Sequence, residues 1–552
     1  MENYYTGPAD TYETYTFAGK ENGEEWGPEF MYHGFRYLQI IGLDEAPKPE
    51  DFTALRLRSD MDLAGTFETN NSLLNDIHVI CRDAIQSQLY NSITDCPHRE
   101  KLGWLDVPNE MYNSLVYNYD MENFFKKVVL DCFDAQYSNG RVPSTVPHFM
   151  SVYDDDPNWG GAAILVPYRS WKTYGDVTTM TKFYPQMKKL MDYYTSKTVN
   201  HIMPGSNYSV LSDWGQETAG VNPMVPGEFT ITTTYYYMLN AMAEIASFLG
   251  KNVDAKGFLT QAQNTKKAFN ERFYKDGVYE YGQQSEFAMP LYYGLVDQEN
   301  EELVAAKLAE RVKKDNYKIK TGEIGLKPLF MSLAKYGYND IVYQMANQTD
   351  CPSYGYWVKQ GYTTTPEYWD VGAFSQNHCM MDHIEEWFFS QLGGIRNEGN
   401  AFDVIRIEPW IPEDMDHLDV TTRSIYGNIR CHYERGVDNE MNYTFEIPAN
   451  SQANIVLPCL NHQSVFENGK DVKNGEKGVV SVEYKDGKAY LKMGSGNYTL
   501  QIKKKEATGI QEVNISRARL NDVYYDLEGR NHGKVRPSQK GIFIWNQKKV
   551  VL

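Results

Sequence analysis

The chain has no run of about 18 apolar residues, the minimum for a bilayer-spanning helix, so no membrane span is expected. It has no basic excess either: 54 Lys and Arg stand against 73 Asp and Glu, a formal charge of −19. Such a surface repels nucleic acid and anionic membranes, which removes both as expected partners. The first residues, MENYYTGPADTYETYTF, carry neither a basic n-region nor an apolar h-region, so no secretory signal peptide is expected in this chain. That fits a cytoplasmic protein or a native start elsewhere. Cysteine is sparse and unpatterned. The seven residues Cys81, Cys96, Cys132, Cys351, Cys379, Cys431 and Cys459 form no CxxC, which argues against a zinc ribbon and a disulfide framework. No GxSxG occurs, and no Cys sits in a recognisable Cys/His setting, so covalent Ser or Cys catalysis has little support.

What is abundant is aromatic surface, at 14% of residues with 42 tyrosines. Tyr and Trp offer a flat apolar face with a polar edge, which suits sugar rings. Composition alone does not separate this from a large core that simply uses aromatics. At 552 residues the chain is too long for one ordinary domain. Residues 1–68 read as β-structure, with FRYLQIIGL and FTALRLRSDMDLAGTF rich in β-formers. They are too few for a full sandwich and read as the remnant of a preceding one. Residues 69–398 turn helical. SLLNDIHVICRDAIQSQL carries Leu74, Ile77, Cys81 and Ile85 on one stripe, and MENFFKKVVLDCFDAQ does the same with Phe125, Val128, Val129, Cys132 and Phe133. Gly175, Gly250, Gly337 and Gly393 read as helix stops. No fixed-period repeat is found, which disfavours a solenoid. A toroid of paired helices, an (α/α)6 barrel, is the expected catalytic domain of a mainly α chain. Residues 399–505 alternate again, as an antiparallel β-sandwich, and 506–552 form a small strand-rich tail.

The stretch TDCPHREKLGW crowds Asp95, His98, Arg99, Glu100 and Lys101 around Pro97 and closes on Trp104. Proline forbids a helix interior there, so a shaped loop entering a helix is expected. Two more loops pair carboxylates with a nearby Trp: Asp213 and Glu217 beside Trp214 in SDWGQE, and Glu367 and Asp370 beside Trp369 in GYTTTPEYWD. Glycosidic bonds are commonly cleaved by two carboxyls, one protonated and one ionised. An apolar aromatic wall raises a carboxyl pKa and keeps it a usable acid. Each loop read singly fits an acidic surface loop equally well; three on one helical scaffold favour a sugar site. His378 and His383 are five apart, which does not place two imidazoles on one helix face, so no metal is expected. His383 reads as a solvated helix residue and His378 as one facing the barrel mouth.

TDCPHREKLGW resembles the DCP-x-R-(D)-E-x-x-GW signature of glycoside hydrolase family 78, the bacterial α-L-rhamnosidases. The resemblance continues in order through NWGGAAILVPYRSWKTYGD, SDWGQE, TGEIGLKPLFMSLAKYG, CPSYGYWVKQGYTTTPEYWD, SQNHCMMDHIEEWFFSQLGGI and FDVIRIEPW, spanning about residues 30–440. It implies an (α/α)6 barrel flanked by β-sandwiches, with upstream modules missing. It implies Glu100 as general acid and Glu367 as general base. Asp95, Arg99, Trp104, Trp159, Trp214 and His378 match positions that hold the sugar, and Asp213 lies next to one. Where the signature carries a further Asp three residues after its Trp, this chain has Val107, with Asp106 one position earlier. The implied reaction is inverting hydrolysis of a terminal α-L-rhamnoside from a plant or microbial glycan or glycoside, with no cofactor. Trp104, Trp159 and Trp214 are expected to be partly exposed as stacking walls. The tail, with VYYDLEGR and KGIFIWNQKKVV, resembles C-terminal segments of exported Bacteroidetes proteins, which implies a periplasmic or extracellular setting. Two other classes remain: a non-catalytic carbohydrate-binding protein, against which both glutamates argue, and a toroidal polysaccharide lyase, for which His98 and Arg99 are the only footing.

Overall fold

The computed structural model describes residues 12–149, 153–205, 210–370, 374–437, 440–504, 523–533, 537–538, 540–545 and 548–551. The first eleven residues of the expected β-remnant, residue 505 of the expected sandwich and residues 506–522, 534–536, 539, 546–547 and 552 of the expected tail lie outside the described residues.

The helical region is built of hairpins in which a buried helix precedes an amphipathic one. Helices Ala162–Tyr174, Gly227–Phe248, Gln284–Tyr293 and Glu323–Lys335 are buried over most of their surface. Each is followed by a partner with a polar outer face: Val177–Lys197, Asn252–Phe273, Glu301–Lys314 and Asn339–Ala346. An all-round apolar helix must be covered on every side, so it forms the inner ring while the striped helix forms the outer. The turn between the first pair shows how the sequence reverses. Gly175 takes φ 71° as C-cap, and the Asp176 carboxylate then accepts from the Thr178 and Thr179 amides to start the next helix. Gly250 and Gly337 also adopt positive φ, but the left-handed residue at the end of the barrel is Gly394 (φ 68°), one position after the predicted Gly393. A Cβ on Gly394 would lie 2.2 Å from the Glu408 carbonyl carbon.

The barrel runs into a two-sheet sandwich. The larger sheet orders Thr66–Thr69, His417–Ser424, Gly427–Arg435, Met441–Ile447, Gly496–Lys504, Gln463–Glu467 and Lys470–Asp471. The smaller orders Val479–Lys485, Lys488–Met493, Gln452–Pro458, Val404–Ile407 and Ile395–Asn397. Val404–Ile407 runs parallel to Gln452–Pro458, while Gly427–Arg435 pairs antiparallel with both His417–Ser424 and Met441–Ile447.

Residues 12–65 contain no strand; a single 3-10 turn, Pro49–Asp51, interrupts an extended path. Phe30, Ile41 and Leu55 are 98%, 85% and 77% exposed there. A β-forming sequence without a neighbouring strand makes no ladder. Leu63 makes a single bridge to Tyr119, and the first strand, Thr66–Thr69, joins the larger sheet of the sandwich. Residues 504–552 form a second compact unit, holding a three-stranded antiparallel sheet of Tyr524–Asp526, Ile542–Trp545 and Lys548–Val551, with the Tyr524 and Trp545 rings stacked. No helix among the described residues is long and apolar enough to cross a membrane.

Candidate active site

The loop Asp95–Leu102 is closed by its own ends. The Asp95 amide donates to the Leu102 carbonyl at 3.0 Å, and the Leu102 amide donates to Asp95 Oδ1 at 3.0 Å. The loop also needs Lys101 at φ 55°. Gly103 then passes so close to a neighbouring segment that a Cβ would sit 2.0 Å from the Val146 carbonyl oxygen. Val146 donates to Gly103, and Leu105 to Ser144, which pins the loop before helix Asp106–Glu110 begins. Pro97 keeps the segment out of helix, as predicted.

These restraints present Glu100 to an open pocket. Asp95, Glu100, Trp104, Asp106, Trp159, Trp214, Glu367 and His378 all line it, as do Tyr153, Leu211, Glu323 and Met380. Tyr153 and Ser212 on two neighbouring loops adopt φ 54° and 60°. Positive φ in residues other than glycine is costly and collects where side chains must be aimed.

Arg99 connects the two distant glutamates. It donates to Glu367 Oε2 at 2.9 Å, 268 positions away, and its other terminal nitrogen lies 3.6 Å from Glu100 Oε1. One guanidinium spanning both leaves their nearest oxygens no further apart than the roughly 6.5–9.5 Å of an inverting pair. The other oxygens are held separately: Trp104 Nε1 donates to Glu100 Oε2 at 2.9 Å, and Trp214 Nε1 to Glu367 Oε1 at 3.3 Å. The amide of Ser375 adds a bond to Glu367 Oε2 at 3.2 Å.

Burial pushes the Glu100 carboxyl above the ordinary carboxylate range, against the opposing pull of the Trp104 N–H and the Arg99 charge. Asp95 is pushed well above that range, first by burial and then by the Glu100 charge. Asp106 is raised by burial, and Glu323 is raised well above the ordinary range, first by burial and then by the charge of Asp106. His98 is held down at about 4 by burial and then by Arg99. The His378 Nδ1 accepts from the Met380 amide at 3.4 Å, so in its neutral form the ring carries its proton on Nε2.

Several side chains sit elsewhere than the sequence suggested. Asp213 lies beneath the pocket without lining it: its carboxylate accepts from Ser285 Oγ at 2.6 Å and from the Gly322 and Gly325 amides at 3.0 and 2.8 Å. It therefore shapes the turn that carries Glu323. Trp369 is core, stacked on Trp357 at 4.6 Å, and Asp370 is exposed. Glu217 is outside the lining. His383 is 1% exposed, because helix Ile384–Trp387 lies wholly inside the protein and not on a solvated face. The tryptophan walls are less open than expected: Trp214 is half-buried, while Trp104 and Trp159 are 8% and 2% exposed. Glu323 went unrecognised in the sequence; an acid flanked by close-packed glycines in TGEIG was the available signal. Away from the pocket, His417, His432 and Glu434 bring ligand atoms within 4.8 Å of one another and could hold a metal ion.

Comparison with known proteins joins these observations. The model for the bacterial alpha-L-rhamnosidase 6 hairpin glycosidase domain matches residues 62–392, that for the alpha-L-rhamnosidase C-terminal domain residues 394–471, and that for the concanavalin-like domain residues 5–58. An alpha-L-rhamnosidase of Formosa agariphila is 29% identical over 523 residues, which is 89% of this chain and 54% of that protein. One of Streptomyces avermitilis is 25% identical over 503 residues, 89% of this chain and 47% of that protein. The solved alpha-L-rhamnosidase of Dictyoglumus thermophilum superposes with a TM-score of 0.80 at 28% identity, covering 87% of this chain and 55% of that one. The chain thus spans about half the length of these relatives.

Proposed function

The chain belongs to the bacterial α-L-rhamnosidases of glycoside hydrolase family 78, and from that premise we propose that it hydrolyses terminal α-L-rhamnosides with inversion. The observation that carries the mechanism is the Arg99 guanidinium, which gathers Glu100 and Glu367 at one pocket. In this reading Glu100 is the acid. Its burial favours the protonated form, and Trp104 orients the oxygen opposite Arg99. Glu367 is the base, its two oxygens fixed by donors from Arg99, the Ser375 amide and Trp214. Glu100 protonates the glycosidic oxygen while Glu367 takes a proton from water attacking the opposite face of the sugar. Asp95, Asp106, His378, Trp104, Trp159 and Trp214 hold the ring. Asp213 acts through the turn it shapes.

The proposal includes the export implied by the tail. A panel of aryl glycosides tests the activity, and proton NMR of the first sugar released reads the stereochemistry. We expect turnover of the α-L-rhamnoside with β-L-rhamnose appearing first. Turnover of other glycosides only, or α-L-rhamnose first, would refute it.

A further inference from the structure

Beside Asp95, two further carboxyls at the pocket remain without a part in proton transfer. Asp106 and Glu323 both line it, at 3% and 1% exposure. Burial raises each beside the other, and two carboxylates side by side away from water disfavour both being charged, so the arrangement favours one proton between them. Asp106 Oδ1 and Glu323 Oε1 are buried with no N–H or O–H donor among the described residues.

The surroundings fix this pair without neutralising it. The Glu323 amide donates to the Trp214 carbonyl at 3.0 Å. A Cβ on Gly322 would lie 2.2 Å from that same carbonyl oxygen, and one on Gly325 would lie 2.4 Å from Ser285 Oγ. Asp213 grips the amides of both glycines. Of the charged groups that face the pair, Asp213 and Glu110 are acidic, and Glu110 is already paired with Lys327 at 2.6 Å. His378 faces Asp106 across the pocket. A turn held by two glycines and a buried carboxylate, all to place one glutamate against one aspartate, is a positioned device.

We propose that Asp106 and Glu323 share one proton and together bind two adjacent hydroxyls of the sugar ring, making Glu323 a specificity-determining residue. The pair offers a donor and several acceptors in fixed positions, and a sugar diol is matched by that mixture. This rests on the rhamnosidase reading above. A site built to bond a hydroxyl rejects the analogue lacking it, because its buried polar groups are then left unpaired.

The test pairs enzyme variants with singly deoxygenated substrates. Wild type, Glu323→Gln and Glu323→Leu are assayed on an aryl α-L-rhamnoside and on its 2-, 3- and 4-deoxy forms. We expect the wild type to disfavour two of the three deoxy forms by about 10²-fold or more in kcat/KM. In Glu323→Leu that preference collapses to under about tenfold, because the parent substrate loses and those two deoxy forms do not. Glu323→Gln keeps an N–H between the side chains and stays within roughly tenfold of wild type. A wild type minus Glu323→Gln infrared difference spectrum at neutral pH should show the carbonyl stretch of a protonated carboxyl, with no substrate needed and with an isosteric variant. Equal losses on parent and deoxy substrates would make Glu323 structural and overturn the pair while leaving the rhamnosidase reading intact. A missing carboxylic acid band would overturn the shared proton. A wild type that neither binds nor cleaves rhamnosides would overturn both readings.

Discussion

At the residue scale, Glu100 and Glu367 separate by what each loss does to different substrates. Glu100→Gln should cost about 10²–10⁴-fold on a natural disaccharide and much less on an activated aryl rhamnoside, whose leaving group needs little protonation. Glu367→Gln should cost both substrates alike. Equal losses on both substrates in both variants, with lower Tm, would instead mean structural roles. Trp104→Phe provides a subtler test. The indole N–H favours the ionised Glu100, so its removal should raise that pKa and move the alkaline limb of kcat/KM to higher pH. An unmoved limb would mean that another group sets it. One wall of the pocket was legible as chemistry in a loop, because Asp95, Glu100 and Trp104 stand within ten residues of one another, while Trp159 and His378 were reached through the family resemblance. Glu323 was not legible, since a lone glutamate at a helix start also reads as a favourable end charge. The depth of Trp159 was not legible either, since nothing local encodes how far a ring is covered.

At the scale of elements, hairpin turns and the acid loop should respond differently. Asp176→Ala removes a helix cap far from the chemistry and should lower stability by about 1 kcal/mol with kcat/KM unchanged. Gly103→Ala drives a methyl into the Val146 carbonyl and should displace Trp104 and Glu100, lowering kcat/KM more than Tm. Denaturant melts alongside steady-state kinetics check both, and a Gly103→Ala enzyme of full activity would show that the close approach is dispensable. The helical hairpins were legible because stripes and stop signals are local. The strand reading of residues 12–65 failed over the described part because a ladder depends on a partner that local propensity does not supply.

At the scale of the whole molecule, the acidic chain buries carboxyls that stability must accommodate. Burial raises Asp156 and Glu286 to about 7 each. A carboxyl raised above its unfolded value stabilises fully below that value, about 4, and the contribution is lost as pH rises through the folded pKa. These two therefore lower Tm between about pH 4 and pH 7. His98, held down at about 4, acts oppositely, its contribution being lost as pH falls below about 6.5. Glu286→Gln keeps an oxygen for the Tyr281 and Gln283 amides and should reduce any decline in Tm with rising pH. Tm against pH for both proteins at constant salt checks this; identical curves would exclude a Glu286 contribution.

The sequence by itself determined the order of helical hairpins and sandwich, the acidic character and the pairing of Glu100 with Trp104, since each depends on neighbours along the chain. Only the tertiary structure decided that Arg99 joins Glu100 to Glu367, that Asp213 supports the pocket from below, that His383 and Trp369 belong to the core, and that Asp106 meets Glu323. Those facts rest on contacts between segments far apart in the chain, where packing, not local propensity, sets which side chains meet.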